Sequence, residues 1–247
     1  MNASSIRSAS ANRTARTAGL LYLVVVVAGM FSLAYVPSQI AMSGEPSTVM
    51  QSLAASEPLF RSGIAAAVVC YIAFLLLPIA LYRLLGTVAI APATLMVAFA
   101  LASVPISFVN LTHRLDVLSI LDAGSRLQSL ASEQLQAQVM LSLDAYRNGL
   151  LISEVFWGLW LLPFGYLVFK SGFLPRLLGI LLMAGCFGYL IDVFGHLLWP
   201  GYAKSAIAEY VRLPAAAGEI GTCLWLLVAG ARPPRKQVAS TRATNNP

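Results

Sequence analysis

Long apolar runs separated by short polar stretches dominate this chain. Six runs stand out, at residues 18–36, 63–82, 88–110, 149–169, 177–197 and 213–230. A helix needs roughly 20 mainly apolar residues to cross about 30 Å of hydrocarbon, so each run predicts a transmembrane helix. The first run exceeds the roughly 7 to 15 apolar residues of a secretory signal. The predicted fold is therefore all-α, a bundle of six transmembrane helices.

The polar connections alternate between short and long. In the short stretch between the fourth and fifth runs, Gly172 has the position of a residue that ends a helix, and Pro175 that of one that starts the next. The longer connections predict short amphipathic helices at the other membrane surface. One covers residues 46–57, with Ser47 as its cap, and one begins at a capping Ser132 and runs into the fourth span.

The distribution of basic residues predicts the orientation. If the N-terminus lies inside, ten of the 16 Lys and Arg fall on the inner side, together with none of the ten acidic residues. Six crossings return the chain to its starting side. We therefore expect a protein of the cell membrane with both termini in the cytoplasm. Basic tails at residues 1–17 and 231–247 flank one transmembrane domain, 18–230, and the second tail is predicted to be disordered.

Composition agrees with a chain that has the lipid bilayer as its main partner. Hydrophobic residues make up 58% and charged residues 11%, whereas a soluble domain carries about a quarter charged residues. The net charge of +6 comes from basic residues scattered at the ends of apolar runs, which argues against a nucleic-acid partner. The sequence does not indicate the oligomeric state or a partner protein.

Four stretches carry a family resemblance: TARTAGLLYLVVVVAGMF (14–31), SEPLFRSG (56–63), GLWLLPFGYLVFKSGFLPRLLGILLMAGCFGYLID (158–192) and GEIGTCLWLLVAG (218–230). The chain resembles the membrane-protein family catalogued as domain of unknown function 4386. The resemblance covers nearly all of the chain except the two tails. It implies a multi-pass helical fold, and it transfers no functional residues because the family has no assigned activity.

Ionisable residues inside or next to the spans are the candidate site, because a charge in hydrocarbon costs at least about 2.5 kcal/mol unless it is paired or hydrated. Glu154, Asp192 and Glu219 are predicted at similar depth, toward the outer side. His196 follows Asp192 by one helical turn, and Arg147 and Arg212 each precede a carboxylate by two turns. The predicted polar cluster comprises Glu154, Asp192, His196, Glu219, His113, Arg147 and Arg212.

Three functions are compatible with such a cluster. The leading one is an outward-facing polar pocket that handles an ion or a small solute. An enzyme that uses the carboxylates and His196 as metal ligands is the second, although a lone Asp-x3-His is a weak signal and no metal or cofactor is assigned. A non-catalytic scaffold or accessory subunit, in which the arginines and carboxylates only fix helix packing, is the third. Phosphate-binding loops and serine-hydrolase motifs are absent from the sequence.

Overall fold

A computed structural model of the protein describes residues 3–124 and 132–231. No strand occurs in these residues. The helices are α1 (Ala3–Met30), α2 (Val36–Gln39), α3 (Pro46–Ala55), α4 (Glu57–Leu85), α5 (Ile90–Gly124), α6 (Ser132–Leu159), α7 (Leu161–Ser171), α8 (Arg176–Leu198), α9 (Ala206–Tyr210) and α10 (Leu213–Val228). A π-helical turn, Phe31–Tyr35, joins α1 to α2, and a 3-10 turn, Tyr202–Lys204, precedes α9.

Six helical stretches in the described residues are long and apolar enough to cross a membrane: Ala11–Gln39, Glu57–Leu85, Ile90–Asp122, Glu133–Ser171, Arg176–Leu198 and Ala206–Val228. The predicted number and order of the spans are confirmed. Their outer faces carry exposed apolar side chains such as Val69, Ile72 and Phe187. Because an exposed apolar surface of this extent suits hydrocarbon and not water, the chain is an integral, multi-pass membrane protein.

The six spans form a closed ring. Each span packs against the next along the chain, and α10 returns to α1. The backbone N–H of Ala231 donates to the side-chain oxygen of Asn12 at 3.2 Å, so the first and last spans meet at the same end of the bundle. We call this end the termini end. The opposite end carries α3 and α9 and is called the long-loop end.

Glycines set the close approach of α8 to its neighbours. A Cβ atom at Gly185 would lie 2.6 Å from Cα of Ala215 in α10, and a Cβ atom at Gly218 would lie 3.0 Å from the backbone nitrogen of Leu182. On its other side α8 meets α7, where Gly165 and Gly179 face each other. Gly185 thus lets α8 and α10 approach each other closely.

Several helix boundaries differ from those predicted. The third helix continues past residue 110 to Gly124, so His113 lies on a helix. The helix predicted to begin at Ser132 runs into the fourth span, as predicted. That span is interrupted at Trp160, because Pro163 has no N–H to continue the hydrogen bonding. From Ala3 onward, the predicted N-terminal tail is part of α1. The C-terminal tail beyond residue 231 lies outside the described residues.

The predicted helix starts and ends are confirmed in part. Gly172 adopts the left-handed conformation, with φ +72°, at the end of α7, as predicted. Pro175 immediately precedes α8, which begins at Arg176. The prediction that Ser47 caps α3 is wrong: the helix begins at Pro46, so Ser47 is already inside it. The capping role of the Ser132 side chain lies outside the described residues.

Candidate functional site

Arg212 joins two spans at the long-loop end. This residue immediately precedes α10, and its Nη1 lies 2.7 Å from Oε1 of Glu154 in α6. Its Nε lies 3.6 Å from Oδ2 of Asp192 in α8. The side chain of Asp192 is 4% exposed and that of Glu154 is 15% exposed, whereas Arg212 is 47% exposed. A half-exposed guanidinium thus holds two mostly buried carboxylates.

His196 extends this group along α8. Its Nδ1 lies 2.9 Å from the backbone oxygen of Asp192 and 3.8 Å from the carboxylate Oδ1 of the same residue. The carbonyl oxygen can only accept, so Nδ1 carries the hydrogen and Nε2 is left as an acceptor in the neutral ring. The predicted one-turn relation between Asp192 and His196 is confirmed. We call Glu154, Asp192, His196 and Arg212 the Arg212 cluster.

A cavity of about 670 Å³ opens in front of the Arg212 cluster. The connection between α8 and α10 forms its other wall, where Ser205 caps α9 by accepting a hydrogen bond from the backbone N–H of Ala208 at 3.3 Å. Lys204 and Glu209 add one charge of each sign to the lining. The cavity is therefore open, polar and lined by both positive and negative side chains.

Tyr202 packs against α8 next to this wall. It is 2% exposed, and its ring lies 4.9 Å from that of His196 in an edge-to-face arrangement. Gly195 makes the approach feasible, since a Cβ atom there would fall inside van der Waals distance of the Tyr202 ring. Burial, assisted by the neighbouring Asp192 carboxylate, raises the pKa of Tyr202 above its ordinary value.

Glu219 does not join the Arg212 cluster. Its Oε1 accepts a hydrogen bond from the hydroxyl of Tyr22 in α1 at 3.0 Å. Its side chain lines a second, mainly apolar cavity, which Tyr189 of α8 also lines. The predicted cluster thus divides into two sites.

Arg147 and His113 lie apart from both sites. Arg147 pairs with Asp144 on its own helix and donates to the backbone oxygen of Met42 at 3.3 Å. His113 Nδ1 lies 3.5 Å from the carboxylate of Asp116, and its side chain is 38% exposed.

Neither arginine contacts the carboxylate that follows it by two turns in the sequence. Two turns along a helix span about 11 Å, which is too far for direct contact. Glu154, on a neighbouring helix, is within reach of Arg212. Arg147 instead has Asp144 one turn away.

Sequence reasoning missed the burial of Arg114. The residue is 2% exposed, its guanidinium carbon lies 4.2 Å from the centre of the Tyr146 ring, and Nη1 donates to the backbone oxygen of Ser32 at 3.5 Å. Ser32 belongs to the π-helical turn that follows α1. The sequence places Arg114 just beyond the third predicted span. Its burial could not be predicted, because it depends on the continuation of α5 to Gly124.

The described residues contain no group of three or more His, Cys, Asp or Glu side chains placed to hold a metal ion. Asp192 and His196 approach each other, but the other carboxylate near them, Glu154, is engaged by Arg212. The three cysteines, Cys70, Cys186 and Cys223, are buried and free. In the described residues the arrangement is therefore an ion-paired cluster beside an open cavity.

Comparison with known proteins places the chain in a family. The family model described as "Domain of unknown function (DUF4386)" matches residues 17–230, and the chain belongs to that family. An uncharacterized protein from Archaeoglobus fulgidus is 35% identical over 88 residues, which are 36% of this chain and 50% of the relative. The match thus spans about half the length of that relative. No solved structure matches.

Proposed function

We propose that this DUF4386 member binds a small zwitterionic solute in the cavity of the Arg212 cluster. The observation that carries the proposal is that one open cavity is lined by side chains of both signs, Asp192 and Glu209 on one hand and Lys204 and Arg212 on the other. A solute that bears an amino or quaternary ammonium group and a carboxylate complements such a lining. A single ion complements only half of it.

The exposure of Arg212 supports a binding role. Its side chain is 47% exposed and lines the cavity, so a solute in the cavity can contact the guanidinium. The carboxylates of Glu154 and Asp192 contact the Arg212 guanidinium and orient it. A guanidinium held in this way keeps free donors for a carboxylate, whose two oxygens match its planar geometry.

The proposal includes the orientation of the protein. We infer that the protein lies in the cell membrane with its termini in the cytoplasm, because the basic residues concentrate at the termini end. The cavity then faces outward, and residues 18–230 form a single transmembrane domain. A solute would reach the Arg212 cluster from the outside without crossing the apolar part of the bundle.

Thermal unfolding of the purified protein in a neutral detergent tests the binding proposal. Glycine, L-serine and glycine betaine serve as zwitterionic probes, and sodium phosphate and tetramethylammonium chloride serve as controls whose binding ion carries charge of one sign only. A bound solute raises the unfolding temperature by mass action. We expect the zwitterions to raise it for the wild type and the single ions to do so less.

Variants assign that effect to the cavity. Lys204→Gln and Arg212→Lys should reduce the rise. Arg61→Lys is the matched control, because Arg61 also contacts two carboxylates, Glu57 and Asp122, at exposed positions away from the cavity. The proposal fails if no zwitterion stabilises the wild type, or if Arg61→Lys reduces the effect as much as Arg212→Lys does.

A further inference from the structure

The second cavity is a cleft between the outer parts of α1 and α10. It has a volume of about 240 Å³ and is lined on one side by α1 and on the other by Ala216, Glu219 and Ile220 of α10. Met30, Leu33 and Ile220 border it and are 59%, 37% and 40% exposed. Since these residues belong to membrane-crossing stretches, the cleft opens sideways toward lipid. We call it the aromatic cleft.

Aromatic rings form much of its wall. The rings belong to Tyr22, Tyr71, Phe74, Trp157, Trp160 and Tyr189. Trp160 is central: it lies edge-to-face with Phe74 at 5.1 Å and packs at 6.2 Å from Tyr22. These mutual contacts hold the rings in place before any ligand enters. Faces of preorganised aromatic rings attract cations through their negative quadrupole.

Glu219 places a carboxylate in the same cleft. It lies six residues into α10, roughly 9 Å from the start of that helix, so it sits at a depth where water is scarce. Tyr22 donates one hydrogen bond to it. Among the described residues no Lys, Arg or His forms an ion pair with Glu219 or lines the cleft. The cleft therefore has an acid and an aromatic wall, and no basic side chain.

We propose that the aromatic cleft is a binding site for a lipophilic organic cation, such as a quaternary ammonium compound with an aromatic or alkyl substituent. The ligand needs an aromatic or alkyl substituent, because it must pass through hydrocarbon to reach the cleft. The positive charge follows from Glu219 and the aromatic rings, which stabilise a cation most strongly where it is shielded from water. This site is separate from the cavity of the Arg212 cluster.

Quenching of tryptophan fluorescence measures occupancy directly. The chain has four Trp residues, and the double variant Trp199→Phe/Trp225→Phe leaves Trp157 and Trp160, both in the cleft. In neutral detergent, 1-benzylpyridinium serves as the quenching cation. Phenyltrimethylammonium and its uncharged counterpart of the same shape, tert-butylbenzene, serve as competitors. We expect saturable quenching that phenyltrimethylammonium reverses at lower concentration than tert-butylbenzene.

Three substitutions in that background separate charge, space and folding. Glu219→Gln keeps the shape and an acceptor for Tyr22, and should weaken binding of phenyltrimethylammonium about tenfold while leaving tert-butylbenzene unchanged. Gly29→Leu should fill the cleft, which Gly29 lines. The larger side chain can be accommodated there, because a Cβ atom at Gly29 would contact only the sulfur of Cys70, at an ordinary distance of 3.5 Å. Glu45→Gln removes an exposed acid and should change nothing. Each variant is checked for a wild-type unfolding temperature.

Any one of four results would overturn the proposal. If tert-butylbenzene competes as well as phenyltrimethylammonium, the cleft accepts apolar groups without regard to charge. The same follows if the Glu219→Gln variant binds both competitors as tightly as the parent protein does. If quenching is absent or persists unchanged in Gly29→Leu, the cation does not occupy the cleft. These variants leave the Arg212 cluster intact, so the outcome is independent of the proposal made for that cavity.

Discussion

The guanidinium of Arg212 and the carboxylate of Glu154 meet at 2.7 Å although 58 residues separate them in the chain. The contact joins the fourth and the sixth spans at the long-loop end. Asp192, on the fifth span, approaches the same guanidinium. One arginine thus links three spans, and the position of the cavity depends on it.

A double-mutant cycle on Arg212 and Glu154 measures this link. Arg212→Gln and Glu154→Gln should each lower the free energy of unfolding in detergent. Together they should lose less than the sum of the single losses, with a coupling of about 1 kcal/mol. A cycle on the exposed pair of Arg61 and Glu57 provides the control and should give a smaller coupling. Strict additivity at Arg212 and Glu154 would show that the contact contributes nothing to stability.

The glycine at the crossing of α8 and α10 gives a second prediction. Gly185→Ala should destabilise the protein by about 1 to 3 kcal/mol, because the new methyl group meets the backbone of Ala215 at 2.6 Å. Gly221→Ala is the control. Its Cβ atom meets only the flexible end of the Leu178 side chain, at the same distance, and so it should cost less. Equal losses in urea or thermal unfolding would contradict the close crossing.

Much of this arrangement could be predicted from the sequence. The lengths of the apolar runs predict the six spans, and helical spacing predicts that His196 lies one turn from Asp192. The pairing of Arg212 with Glu154 could not be predicted, because it depends on how neighbouring helices rotate and which depths coincide. For the same reason the sequence places Glu219 in the polar cluster, although its side chain, on α10, accepts a hydrogen bond from Tyr22 of α1. Helical periodicity predicts which residues share one face of a helix, but it does not predict which neighbouring helix that face contacts.

The buried Arg114 leads to a third prediction. Arg114→Gln should lower the free energy of unfolding by about 1 to 3 kcal/mol, since it removes the stacking on Tyr146 and the donor to Ser32. Arg61→Gln, at an exposed position, should change it by less than about 0.5 kcal/mol. Unfolding measured by circular dichroism compares the two. A larger loss for Arg61→Gln would contradict the burial of Arg114.

The raised pKa of Tyr202 predicts a pH dependence. The unfolded-state phenol ionises near pH 10, before the folded-state phenol does. Tyr202 therefore contributes stability that is present below about pH 10 and is lost as the pH rises toward its folded-state pKa. Between pH 8 and pH 11, the free energy of unfolding should fall more steeply for the wild type than for Tyr202→Phe. Parallel curves would contradict the raised pKa.

The most direct test of the central claim, the proposed outward-facing, open cavity at the Arg212 cluster, is cysteine labelling in intact cells. The three native cysteines are buried, which keeps the background low. Ala203→Cys lies in the cavity wall, and Thr87→Cys lies at the termini end between α4 and α5. A membrane-impermeant maleimide should label Ala203→Cys in intact cells, and Thr87→Cys only after permeabilisation. Labelling of Thr87→Cys but not Ala203→Cys in intact cells would contradict the account.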